Sequence, residues 1–185
     1  MDSLLDKFIR YLRFRKVIRY IPKDSVVCDI GCGENANFLK SIRASIKYGI
    51  GVDKDVRDHK NSKLELKKLK LSNKLPLNSG TCDVVTMLAV LEHLQNPQEI
   101  LNESFRILKA GGKLILTTPT PLAKPILEFL AFKLHLINKK QISDHKNYFW
   151  PNDIKKMLVQ AGFKEENFKT SFFEFFLNSL IIAQK

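Results

Sequence analysis

The segment Val26-Val27-Cys28-Asp29-Ile30-Gly31-Cys32-Gly33-Glu34-Asn35 constrains the fold of this chain more than any other. Its first five residues read as a short buried strand. The two glycines that follow let the backbone turn sharply and pass close to a ligand with no Cβ in the way. A helix signal comes next, at residues 37–44, so the turn leads to a helix start whose free backbone N–H groups face the loop. Strand, glycine turn and helix in this order build the ligand crevice of an open parallel sheet.

The same alternation continues along the chain. Tyr48-Gly49-Ile50-Gly51-Val52-Asp53 reads as a second strand, and Leu64-Glu65-Leu66 begins a weak third. Residues 82–88 form a strong fourth and residues 113–118 a fifth. Asn96-Pro97 opens a helix as cap and first residue, and Gly111-Gly112 closes it. Near the start, Leu4, Leu5, Phe8 and Leu12 recur at helical spacing opposite Lys7, Arg10 and Arg13, which predicts a basic helix over residues 4–19. Residues 122–137 read as an inserted helix and residues 151–161 as another, ended by Gly162. The branched and aromatic residues of 168–184 predict two antiparallel strands around Asn178-Ser179.

The fold class expected is α/β, Rossmann-like and doubly wound: a mostly parallel seven-stranded sheet with an antiparallel C-terminal strand and an N-terminal helix. The 185 residues suit one domain. Within it, residues 1–21 form the basic helix and residues 119–149 a lid over the acceptor site.

Composition narrows the setting. No run of about 18 apolar residues occurs, so no membrane-spanning helix is expected. Cys28, Cys32 and Cys82 are too few and too irregularly spaced for a disulfide framework or a zinc site, which fits a reducing cytoplasm. The net charge of +12 attracts polyanions. The lysines are spread along the chain, however, so a solubilising surface is the simpler account.

Two ligand classes compete for the glycine loop. Gly31-x-Gly33-x-x-Ala36 matches the dinucleotide fingerprint, and Asp53 stands about 20 residues past Gly33, where a ribose-binding acid belongs. Asp29 discriminates between them. A carboxylate just before the loop repels a pyrophosphate and attracts a cationic cofactor.

The ordered motifs resemble those of the class I S-adenosylmethionine-dependent methyltransferases. Asp29-Ile30-Gly31-Cys32-Gly33 is similar to that family's D-x-G-x-G-x-G loop, and residues 48–53 to its second motif. Leu75-Pro76-Leu77 with Cys82-Asp83-Val84-Val85 resembles L-P-F … F-D-V-V, and Val90-Leu91-Glu92-His93 resembles V-L-E-H. Leu108-Lys109-Ala110-Gly111-Gly112 matches L-K-P-G-G, and Ala161-Gly162-Phe163 matches A-G-F. The resemblance covers about residues 22–170. There are two departures. Asn35 replaces the third loop glycine, and Asn tolerates positive φ. The acid that often faces the adenine is missing, with Ser72 and Asn73 as candidate substitutes.

The resemblance implies that S-adenosylmethionine is the cofactor, with S-adenosylhomocysteine as product. It places Asp29, Gly31, Gly33, Asp53, Lys54, Met87 and Leu88 against it. Asp53 would hold the ribose, and Met87 and Leu88 would line the methionine portion. An oxygen acceptor also needs a proton removed, and His93 and His145 are the candidate bases. The competing account for His93 is a structural hydrogen bond at a helix start, and for His145 it is packing of its loop. Ala89 stands where some quinone-pathway enzymes of this family have the first acid of a metal-binding E-x-x-E-H segment, so no metal is expected.

The apolar lid, with Lys124, Lys133, Lys139 and Lys140 interspersed, suggests a small-molecule or lipid-linked acceptor and peripheral contact with an anionic membrane at its inner face. A nucleic-acid acceptor would use the charge, but no N-P-P-Y-like motif follows the fourth strand. A degenerate cofactor-binding protein is the non-enzymatic alternative.

Overall fold

Among the residues described by the computed structural model, 3–71, 74–137 and 139–185, eight strands form one sheet. They are β1 (Val26–Ile30), β2 (Tyr48–Asp53), β3 (His59–Lys60), β4 (Leu64–Lys68), β5 (Cys82–Leu88), β6 (Leu108–Pro119), β7 (Phe168–Phe173) and β8 (Asn178–Gln184). Their order across the sheet is β3-β4-β2-β1-β5-β6-β8-β7. Strands β4, β2, β1, β5 and β6 run parallel, while β3 pairs antiparallel to β4, β8 to β6 and β7 to β8. The sheet reverses its winding at β1, which places the crevice beyond the carboxyl ends of β1 and β5.

Alternation along the strands fills two cores, one on each face. Cys28, Val85, Leu114, Leu116 and Ile181 point to one side. There they meet α3 (Pro97–Ile107) and α6 (Pro151–Gln160), through Ile100, Leu101, Ile154 and Leu158. Val27, Val84, Ile115, Leu180 and Ile182 point to the other. There they meet α1 (Leu4–Ile18) and α2 (Asn37–Ile42), through Val17, Phe38, Leu39 and Ile42. The start of α1 is fixed by a capping box in which Ser3 Oγ accepts from the Asp6 N–H and Asp6 Oδ2 accepts from the Ser3 N–H.

The architecture departs from the sequence expectations at four places. The eighth strand is the two-residue edge β3, too short to leave a period-2 signature. Helix α3 ends at Ile107, before Gly111-Gly112. Residues 109–112 instead bulge from the start of β6, where pairing with β5 jumps from Cys82↔Leu108 to Val84↔Lys113. Gly111 takes φ +75° there. The inserted helix is shorter than 122–137: α4 (Ala123–Glu128) runs into a π-helical stretch, Phe129–Lys133, and α5 (Lys139–Ser143) follows separately. The C-terminal hairpin turns at residues 174–177, and Asn178-Ser179 already belong to β8.

No helix among the described residues is long and apolar enough to cross a membrane.

Candidate active site

The glycine loop leaves β1 with both glycines in the left-handed region, Gly31 at φ +74° and Gly33 at φ +71°. Their surroundings differ. A Cβ on Gly31 would meet Val90 Cγ2 at 2.4 Å, so this glycine exists for close packing against the segment after β5. A Cβ on Gly33 would meet nothing within 4 Å, so this glycine faces the open crevice. Asn35 does not take the left-handed turn expected of it. Ala36, buried one residue later, adopts φ 46° and ψ 45° and starts α2. The side chain of Asn35 is exposed.

Two carboxylates organise the loop. Asp53, at the end of β2, accepts the Gly33 N–H at 2.8 Å through Oδ2 and the Asp55 N–H at 2.9 Å through Oδ1. It therefore holds the loop while remaining partly exposed to the crevice. Asp29 is only 2% exposed, and its Oδ1 accepts the Thr86 hydroxyl at 2.6 Å. Burial pushes its carboxyl up to about 7. The Thr86 hydrogen bond works against that rise, and the charge of Asp53 adds to it. The crevice thus holds a carboxyl at high cost, which an arriving cation would relieve.

The remaining residues expected at the cofactor divide. Leu88, half-buried at the end of β5, stands at the crevice edge. Met87 does not line it. Its side chain is fully buried against α3, with its sulfur 3.8 Å from Ser104 Oγ, because strand alternation sends it to the core. Lys54 is exposed in the turn after β2. Ser72 and Asn73 lie outside the described residues.

Beyond β5 a second group of side chains gathers. A 3-10 turn, Leu91–His93, carries Glu92 and His93. Residues 144–149 dock onto it: the N–H groups of Lys146 and Asn147 both donate to the Glu92 carbonyl, and Asn147 Nδ2 donates to the Leu94 carbonyl. This brings the two candidate histidines together, with ring centroids 4.8 Å apart and planes crossed at 72°. His93 Nδ1 lies 3.2 Å from the Asp144 carbonyl, and His145 Nδ1 lies 2.9 Å from the Tyr148 hydroxyl. Asp144 thus orients His93 through its backbone, while Tyr148 orients His145. Burial, reinforced by the charges of His93 and Arg13, pushes His145 down to about 4, so its imidazole is neutral at pH 7.

Three further members complete this group: Glu92, which the sequence shows only as part of the V-L-E-H match, and Arg13 and Glu174, which no motif marks. Glu92 is fully buried, with Oε2 accepting the Thr118 hydroxyl at 3.1 Å and Oε1 unpartnered among the described residues. Burial raises its carboxyl, against the opposing influence of His93, Arg13 and Thr118. Arg13 reaches in from α1 with its Nε buried and without a hydrogen-bond partner among the described residues, and Glu174 comes from the β7–β8 turn. The two carboxylates act on Arg13 through space against its burial. An apolar stripe on α1 gives no hint that Arg13 turns inward, since that depends on where the helix docks.

A family model described as a methyltransferase domain matches residues 2–166. The chain is 26% identical over 156 residues to a ubiquinone biosynthesis O-methyltransferase of Psychrobacter arcticus, a match covering 76% of this chain and 60% of that protein. A protein of the same description from Vibrio parahaemolyticus is 31% identical over 90 residues, 48% of this chain and 38% of that one. The chain therefore spans three-fifths or less of these relatives. Among solved structures, an S-adenosylmethionine-dependent methyltransferase from Archaeoglobus fulgidus superimposes with TM-score 0.69 at 21% identity, covering 95% of this chain and 94% of that one. One from Mesorhizobium loti gives 0.67 at 14%, covering 92% and 96%. These likenesses establish the shared Rossmann-like fold. With the family match over nearly the whole sequence, they place this chain in the methyltransferase-domain family, among the class I S-adenosylmethionine-dependent methyltransferases.

Proposed function

We propose that this chain is an S-adenosylmethionine-dependent methyltransferase acting on an oxygen of a small-molecule or lipid-linked acceptor. One observation carries the reading: a buried carboxyl, Asp29, and an open glycine, Gly33, stand at a crevice that adjoins two imidazoles. Bound there, S-adenosylmethionine supplies an activated methyl group, whose transfer breaks a carbon–sulfur bond and forms a carbon–oxygen bond.

The chain's own residues then have distinct tasks. Asp29 faces the positive charge of the ligand, and ion pairing offsets the cost of keeping its carboxylate buried. Asp53 has lone pairs left for the ribose hydroxyls after binding the Gly33 and Asp55 N–H groups. The neutral imidazole of His145, or the ring of His93 beside it, takes the acceptor proton. Alignment in a site shielded by α1 and the lid provides the rest of the acceleration.

The surface supports a lipid-linked acceptor. Leu122, Ile126, Phe129 and Phe132 of the lid are exposed, so much of its apolar face does not pack on the sheet. The adjoining hairpin turn presents Phe175, 95% exposed, and Phe176. Thr120 ties the two regions together: its N–H donates to the Leu177 carbonyl and its hydroxyl to the Phe176 carbonyl. With Lys124 and Lys133 in the lid, this collar fits an anionic bilayer at the cytoplasmic face of a membrane.

Incubation with methyl-labelled S-adenosylmethionine and a fractionated cell extract tests the activity. Label in organic-soluble metabolites is expected. Label confined to RNA or protein, or no transfer despite tight S-adenosylhomocysteine binding, would overturn the acceptor assignment. Co-sedimentation with phosphatidylglycerol vesicles, lost in Phe175→Ser/Phe176→Ser, is expected. No pelleting removes the membrane.

A further inference from the structure

Lys124 and Glu128 stand four residues apart on α4, the first helix of the lid, so they share one face. That face is turned to Tyr148, the residue that orients His145. Lys124 Nζ lies 5.9 Å from the centre of the Tyr148 ring, within reach of a cation–π contact. Burial raises the phenol above its ordinary value, and the charges of Glu128 and Glu92 add to the rise, so the hydroxyl keeps its proton. The Tyr148 ring in turn packs edge-on against that of His145, with centroids 5.3 Å apart. Side chains of the lid thus act on a residue that touches the candidate base.

The two imidazoles differ in what fixes their tautomers. The Asp144 carbonyl beside His93 Nδ1 can only accept, so it holds the proton on Nδ1 and leaves Nε2 a lone pair. The Tyr148 hydroxyl beside His145 Nδ1 can donate or accept, so it does not choose by itself. Only when it accepts does His145 carry its proton on Nδ1 and keep Nε2 free as a base. A carboxylate near the phenol draws the hydroxyl hydrogen toward itself and leaves an oxygen lone pair for the imidazole. The loop that carries both residues is already pinned by the Lys146 and Asn147 N–H groups on the Glu92 carbonyl, which leaves the direction of the hydroxyl to its charged neighbours.

We propose that Glu128, on the lid helix α4, sets the Tyr148 hydroxyl to accept from His145 Nδ1–H and thereby holds His145 in the tautomer that can take the acceptor proton. Tyr148 is a positioning residue in this arrangement, and His145 Nε2 is the atom that receives the proton. The imidazolium formed is a strong acid, because burial and the charges of His93 and Arg13 hold it at about 4, so it passes the proton on to water. Proton removal is in this way tied to the lid being in place over the acceptor.

The inference rests on the methyl-transfer reading, but its test does not need the acceptor. The full chain, with its histidine rings isotopically labelled at nitrogen, is read by imidazole NMR at pH 7, where the His145 ring is neutral and its two nitrogens report the tautomer. Wild-type His145 is expected with its proton on Nδ1. Tyr148→Phe should lower the ratio of the Nδ1–H to the Nε2–H form by about 5-fold, the worth of one hydrogen bond, and Glu128→Gln should lower it in the same direction by less. Turnover should fall with the ratio. His93 should stay in its Nδ1–H form in both variants and reports that the loop is in place, while unchanged S-adenosylhomocysteine affinity reports that the fold survives. A wild-type His145 with its proton on Nε2, or a wild-type ratio in either variant, overturns the proposal. A wild type that shows the expected tautomer yet transfers no methyl group overturns the methyl-transfer reading instead.

Discussion

Replacing Asp29 with asparagine separates the cost of the buried carboxylate from its use. In the ligand-free fold, burial holds this carboxyl at about 7 against an ordinary 3.8. The folded state therefore keeps a proton that the unfolded chain has already released across that interval. Stability is fully retained below about pH 4 and lost as pH rises through 7. The rise corresponds to about 4 kcal/mol once ionisation is complete, of which about 2–3 kcal/mol is lost between pH 5 and pH 8. The amide of the Asp29→Asn variant can still accept the Thr86 hydroxyl and carries no charge, so the variant escapes this loss. For a chain of this length, its Tm advantage over wild type should be about 5–10 °C larger at pH 8 than at pH 5. Differential scanning calorimetry at both values measures it. Saturating S-adenosylhomocysteine should then reverse the order at pH 8, because its ammonium group stabilises the carboxylate but gains little from the amide. A Tm difference that is the same at both pH values, or a ligand that stabilises both proteins equally, would refute the assignment of Asp29 as the cation's partner.

Other substitutions probe the rest of the site. Gly31→Ala should destabilise the fold by about 2–4 kcal/mol in urea unfolding, because it combines a strained φ with a collision against Val90. Gly33→Ala meets no protein atom, so it should cost mainly its backbone strain and lower S-adenosylhomocysteine affinity instead. Asp53→Ala should weaken that ligand by about 10- to 100-fold in calorimetry while the molecule stays folded; an unchanged Kd contradicts its role. His93→Ala or His145→Ala should reduce turnover by about 100-fold with donor affinity retained, and wild-type rates in both would leave the reaction without an imidazole.

The parts of this molecule legible in its sequence are those whose cause is local. The five core strands and the glycine loop follow from alternation and from residues that tolerate a left-handed turn, and Asp29 and Asp53 are fixed by their spacing from that loop. Sequence and structure part where local signals are weak or have two uses. Gly111-Gly112 serve a bulge as readily as a helix end, and the pairing of β5 with β6 decides between them. Asn35 is the residue suited to positive φ, yet Ala36 adopts it, since the loop places its left-handed residue where α2 begins. Met87 has a side chain suited to a cofactor wall, but its position in the alternation of β5 turns it to α3.

The acceptor side of the crevice shows the limit of local reasoning most clearly. His93 and His145 are separate candidates in the sequence, with nothing to say that they meet. Their meeting depends on the Lys146 and Asn147 N–H groups finding the Glu92 carbonyl, and on a turn of three residues after β5 presenting that carbonyl. Backbone bonds of this kind leave no composition signature, because any residue but proline can donate them. The same bonds explain why Glu92 is tolerated in the core: its main chain anchors the loop that brings His145, while its side chain is held by Thr118 from β6. A fully buried carboxylate with one oxygen satisfied and the other not is costly to keep for packing alone. Its place beside two oriented imidazoles puts a polar cluster at the proposed acceptor site, built from groups that only the tertiary fold assembles.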